Sequence, residues 1–404
     1  MSVLIFEKYP ASRWETIMSN GFRPLFLCVG VSGFLLVAAW LLILSGVWQN
    51  MTMAMPIIQW HAHEMLYGFV GAAMGGFLLA AVSKWTGRMP VSGVPLALLV
   101  TFWLMGRMAI LFSAWIPYPI VIVLDMLYGI FLVALIGREI IASGNMRNLK
   151  VVLILALFSV FNLLFHFGVL IDPHWSEMAI RGCLLQIAIM IALIGGRITP
   201  AFTGNYLRMK KPNEKDLPVQ FNRLDMIVSV LLGIAAIAWI VLPESYVTGV
   251  LLIAAGIGQW LRVSRWRGFK IIDEPLLWIL HLGFIWLGLG LIFLGLAVFG
   301  VAPVSAGQHA IGIGAMGSMI LGVASRAALG HTQRALVAGR IMSVAFIFMS
   351  LAAVLRILAG WMQGMGSAHM IYTAGVFWLL AMLLFCIKYV PILLSPAPNW
   401  KKPL

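Results

Sequence analysis

Twelve stretches of this chain each run for about twenty residues with almost no charge, the length a helix needs to cross the hydrocarbon core of a bilayer. They fall at roughly 25–47, 60–83, 94–112, 117–142, 150–171, 178–198, 223–243, 246–264, 275–299, 305–326, 340–360 and 367–394. Backbone in lipid must satisfy its own hydrogen bonds, so these stretches are expected to be α-helices. The fold class is therefore an all-α polytopic membrane protein, a bundle of twelve transmembrane helices forming a single integral domain over residues 1–404. A chain that is 62% hydrophobic and only 10% charged does not suit a soluble fold. Most connections are short, which makes neighbouring helices antiparallel. The exception is 199–222, read as a longer loop with prolines at 200, 212 and 218. No internal repeat stands out. Residues 1–20 carry Glu7, Lys8, Arg13 and Glu15 and lack a continuous apolar core, so no cleavable signal peptide is expected. Cys28, Cys183 and Cys386 lie far apart in apolar stretches, with no CxxC and no covalent-haem motif.

A net charge of +14 would suit a nucleic-acid binder, but its distribution argues against one. With the N-terminus placed in the cytoplasm, all but three of the 27 lysines and arginines fall in loops or helix ends on the cytoplasmic side. That obeys the positive-inside rule and predicts both termini cytoplasmic. The exceptions, Arg107, Arg181 and Arg356, each fall in the outer half of a span. A guanidinium there is costly unless an anion or a wet cavity compensates it, so all three are candidate binding residues. Glu64 and Asp125 lie at the same depth as possible partners. The three arginines are expected to gather around an anionic group, with separate structural Arg–carboxylate pairs as the alternative.

Histidines concentrate at that depth too. The second span opens with WHAHEMLYGFVGAAMGG (60–76), in which His61, Gly68 and Gly75 are spaced by seven. On a regular helix they form one stripe, where a flat group can lie against the backbone. His63 projects about 200° away from His61, so the two should serve different partners. His166 ends the fifth span, and His309 begins the tenth, followed by Gly312, Gly314 and Gly317. Imidazole ligates haem iron and copper, and arginine pairs with carboxylates such as haem propionates. The expected arrangement has His309 and one histidine of span 2 on haem, and the other with His166 on copper. Glu64 and Asp125 would orient the ligands. A secondary transporter with a His/Arg-lined outer cavity fits the same composition. His281 in span 9 and His331 after span 10 lie on the inner side, and spacing assigns neither to a cofactor. No nucleotide-binding loop or hydrolase elbow is present.

The motifs FRPLF (22–26), WHAHEMLYGF (60–69), GGFLLAAVSKWTGR (75–88), GRMA (106–109), GGRITPAFTGNYLR (195–208), LHLGF (280–284) and HAIGIGAMGSMILGVASRAALGHTQR (309–334) together resemble the NnrS family of bacterial membrane proteins. The resemblance covers spans 1–11. It implies a twelve-span, multi-pass protein of the bacterial inner membrane containing haem b and copper. It also implies a role in nitric-oxide and denitrification responses, limiting nitric-oxide damage to cellular iron. The histidines at family-like positions are His61, His63, His281, His309 and His331. The sequence departs from the family pattern at Ser83-Lys84, where proline-asparagine is expected, and at Gln333, where glycine is expected.

Overall fold

The structure, a computed structural model, describes residues 10, 12–48, 52–210 and 214–398. Glu7, Lys8, Lys211, Pro212, Lys401 and Lys402 lie outside the described residues. Twelve helices are long and apolar enough to cross a membrane, and the described residues contain no strand. Spans 1 to 6 are Phe22–Leu44, Ile57–Thr86, Val94–Leu111, Tyr118–Ala142, Met146–Leu170 and Pro173–Met209. Spans 7 to 12 are Arg223–Val241, Tyr246–Ser264, Pro275–Val298, Val304–His331, Gly339–Trp361 and Gly364–Leu394. Lipid-facing apolar side chains on spans such as 4, 5 and 7 match a bilayer environment.

Helix starts follow local chemistry. Asp172 caps span 6 by accepting from the His174 amide, with Pro173 at the first helical position. Asn222 and Asp225 form a reciprocal capping box at the start of span 7. Glycines set the closest packing. Gly249 and Gly256 of span 8 lie against the carbonyls of Gly295 and Gly288 in span 9, where an added Cβ would meet oxygen at 3.1 and 2.5 Å.

Two sequence expectations need correction here. The segment 199–222 is not all loop, because span 6 continues as helix to Met209 through Pro200. A proline removes one amide donor, but the extra turns are anchored by packing and by the Thr203 hydroxyl bonding the Thr199 carbonyl. The stripe His61–Gly68–Gly75 does not exist either. Residues Glu64–Val70 form a π-helical segment, whose wider turns shift the phase of everything below it. The three residues meet three different spans: His61 stacks on Trp40, Gly68 faces Arg107 and Gly75 faces Tyr128.

Two further π segments, Ile191–Gly195 and Ala310–Gly317, interrupt spans 6 and 10. Spans 2, 6 and 10 touch one another and are among the most buried, so the irregular turns lie at the centre of the bundle. Carbonyls in or beside two of these segments are claimed from neighbouring helices. The Trp103 indole donates to Gly68, the Tyr128 hydroxyl to Gly71, and Arg262 to Ala192.

Candidate functional site

Span 2 places its two histidines in different surroundings. His63 is fully buried, and its Nε2 lies 3.1 Å from Asp125 Oδ2 of span 4 and 3.0 Å from Asn162 Oδ1 of span 5. His166, one turn after Asn162, brings its own Nε2 to the same Asp125 oxygen, also at 3.1 Å. Each imidazole is held from behind through Nδ1, His63 by Glu64 at 3.2 Å and His166 by the Tyr118 hydroxyl at 3.0 Å. The Asn162 amide donates to Asp125 Oδ2 at 2.7 Å. Arg107 clamps the two acids, with Nη1 on Glu64 at 2.5 Å and Nη2 on Asp125.

The donor set of this cluster fits a metal ion. One ligand atom from each of His63, Asp125 and His166 lies within 4.8 Å of the others, and all three residues are buried. With Nδ1 held by an oxygen, both Nε2 atoms converge on Asp125 Oδ2, and an ion taking the place of those hydrogen bonds would meet two oriented imidazoles and a carboxylate. One guanidinium against two carboxylates leaves a negative charge in a low-dielectric region, which either a proton on His63, both of whose ring nitrogens face oxygens, or a bound cation in its place would neutralise.

His61, on another face of the span, is half-buried and stacked on Trp40 at 4.4 Å between ring centroids. Neither of its ring nitrogens has a hydrogen-bond partner among the described residues. His309 donates from Nδ1 to the Ser305 carbonyl at 2.8 Å, which leaves Nε2 as a free lone pair. His61 and Arg356 both lie within electrostatic range of His309, and Arg356 is within range of His61. Arg356 is half-buried and has no carboxylate partner among the described residues. One turn below His309, a Cβ on Gly312 would meet nothing within 4 Å. Two open imidazoles, an unneutralised cation and open space beside a glycine fit a haem with an anionic edge.

Other expected positions turn out differently. The three arginines do not gather on one anion. Arg107 holds Glu64 and Asp125, Arg181 is 3.8 Å from the exposed Glu177 of its own helix, and Arg356 sits by the imidazoles. Each guanidinium is met by what its own face of the bundle presents. Gly68 and Gly75 give no room to a cofactor, because Arg107 and Tyr128 already fill the space a Cβ would take, at 2.9 and 2.2 Å. Gly314 and Gly317 are likewise filled, by Trp286 and Met349. His281 bonds the Leu277 carbonyl at 3.0 Å, and His331 stacks on Phe22 at 5.2 Å. Neither joins a cluster of ligating groups among the described residues. Sequence reasoning missed Asn162, Tyr118 and Trp40. Asn162 was findable, because an amide four residues before His166 in an apolar helix shares its face.

A model of the NnrS protein family matches residues 16–397, nearly the whole chain. Among curated proteins, none matches. The chain belongs to the NnrS family.

Proposed function

We propose that this protein is a haem b- and copper-containing membrane protein of the nitric-oxide response, resident in the bacterial inner membrane with both termini cytoplasmic. One observation carries the reading: span 2 directs one histidine to each of two separate groups of imidazoles. His61 and His309 would hold the haem iron, with Arg356 on a propionate. His63, His166 and Asp125 would hold copper. Bound haem and copper supply one-electron chemistry toward nitric oxide, and removing nitric oxide in this way would protect cellular iron.

The chain's own residues prepare both places. Glu64 and Tyr118 fix the rings of His63 and His166, and Ser305 fixes that of His309. Arg107 keeps Glu64 and Asp125 from repelling each other across the cluster. Trp40 covers the His61 ring, limiting the directions from which water reaches it.

Separate His→Ala variants at 61, 63, 166 and 309, with haem and copper measured per protein, test the assignment. The 61 and 309 variants should lose haem and keep copper, and the 63 and 166 variants the reverse. Full retention of both metals in the 309 variant overturns the arrangement, and a colourless wild-type preparation would leave the secondary-transporter reading. Cysteines placed at 214–217 should react with an impermeant reagent only from the cytoplasmic side, and labelling from outside would invert the topology.

A further inference from the structure

Beneath the His63–Asp125–His166 cluster lies a small enclosed cavity lined by Tyr67, Arg107, Asp125, Tyr128, Ser159 and Asn162, among others. Room for the centre of a water molecule amounts to about 10 Å³, roughly the requirement for seating one. Its walls present unspent hydrogen-bonding capacity of both kinds. Arg107 uses Nη1 and Nη2 on the two acids, but its buried Nε has no partner. The Tyr67 hydroxyl is buried, and its hydrogen-bonding neighbour among the described residues is the thiol of Cys183. Thiols are weak acceptors, so this neighbour does little to satisfy it. Ser159 donates its hydrogen to the Leu155 carbonyl, which leaves its oxygen to accept. The Asp125 carboxylate is the second acceptor.

We propose that this cavity is a binding site for a single water molecule, and that Tyr67 is a positioning residue acting on Asp125 through it. Two donors and two acceptors around one water-sized space match water, which accepts twice and donates twice. A diatomic that only accepts would use neither the Ser159 oxygen nor the remaining acceptor capacity of Asp125, and an apolar guest would satisfy neither these nor Arg107 Nε and the Tyr67 hydroxyl. Glu64, which meets Arg107 and His63, and Tyr67, which lines the cavity, both come from the π segment Glu64–Val70. The bound water donates to Asp125 on the side away from the imidazoles, holding the carboxylate toward His63 and His166. This role in ligand orientation rests on the copper reading; occupancy of the cavity by water does not.

A density map of the intact protein in lipid nanodiscs, at a resolution that shows its other buried waters, is the direct test. A peak is expected about 2.7–3.2 Å from both Arg107 Nε and Tyr67 Oη. In Gly129→Ala the new Cβ would stand 2.6 Å from Ser159 Oγ, pushing that hydroxyl into the cavity, and the peak should vanish. Tyr67→Phe keeps the ring and its packing. It should weaken copper binding about 10–100-fold, as loss of a supporting group does, with haem content and thermal midpoint unchanged. An empty cavity in wild type, or unaltered copper affinity in Tyr67→Phe, overturns the proposal. If wild type shows the water but binds no copper, the copper reading fails and the water site stands.

Discussion

Two buried aspartates anchor ion networks in opposite halves of this bundle, and the two networks differ in what they leave over. In the one between spans 7 and 8, Asp225 takes Nε of Arg262 and Nη2 of Arg265, both at 2.7 Å. Arg262 spends its remaining nitrogens on Gln259 and on the Ala192 carbonyl, at 2.9 Å each. Two guanidiniums against one carboxylate leave a positive charge, and no imidazole is in the set. In the Asp125 network Arg107 faces two carboxylates, and two imidazoles converge on one of them. The Asp225 group ties spans 6, 7 and 8 together, and its carboxylate is already taken by two guanidiniums. The Asp125 group brings two imidazoles and two carboxylates together around one guanidinium, the set on which the proposed cation site rests. Buried charge alone therefore does not mark a site; its sign and its unspent donors and acceptors do.

Removing each aspartate is the strongest way to break that contrast. Asp225→Ala would strand Arg262 without its carboxylate, at a cost of about 3–5 kcal/mol. Denaturation in detergent should show that loss, while haem and copper per folded molecule stay constant. Asp125→Ala should destabilise too, but it alone should abolish copper binding. If copper falls equally in both variants, the networks are not independent.

Glycine substitutions sharpen the comparison at smaller cost. Gly75→Ala drives a Cβ to 2.2 Å from the Tyr128 hydroxyl, and such overpacking costs about 1–3 kcal/mol. Gly312→Ala meets no atom within 4 Å, so its stability should change by no more than about 0.5 kcal/mol. Its haem retention should nonetheless drop if a macrocycle lies there. Thermal midpoints and haem per protein separate the two effects.

The smallest effect concerns Gln333, whose φ of 56° is left-handed. Glycine adopts that conformation without strain. Gln333→Gly should stabilise the protein by about 1 kcal/mol, with metal content unaltered. An unchanged or lowered midpoint would mean that the glutamine side chain contributes more than the strain removes.

The spans were legible because lipid demands long apolar helices, and the charged candidates because an ionised group in such a helix is costly enough to stand out. Neutral partners carry no such signal, so Tyr118 and Trp40 emerge only once spans 4 and 1 are seen against their histidines. Helical phase was legible only where the helix is regular. His61 and His63 do face different neighbours, as a 3.6-residue turn requires over two residues, yet the seven-residue stripe fails because Glu64–Val70 intervenes. The assignment of His281 and His331 to no ligand cluster also needed tertiary contacts, since a resemblance in motif says nothing of what an imidazole touches.

Arg23 has a consequence for how the protein is made. Its guanidinium is buried at the start of span 1, and Nη1 donates to the carbonyls of Leu393 and Ser395 at 2.7 and 2.9 Å. These acceptors lie 370 and 372 residues further along the chain. At a synthesis rate of about 5–20 residues per second, span 1 waits on the order of 20–70 s for them. During that interval Arg23, at the very start of span 1, is without these two acceptors and relies on water in their place. The seam between spans 1 and 12 is thus among the last to close, and a ribosome that stops short of residue 393 releases a bundle with that seam open.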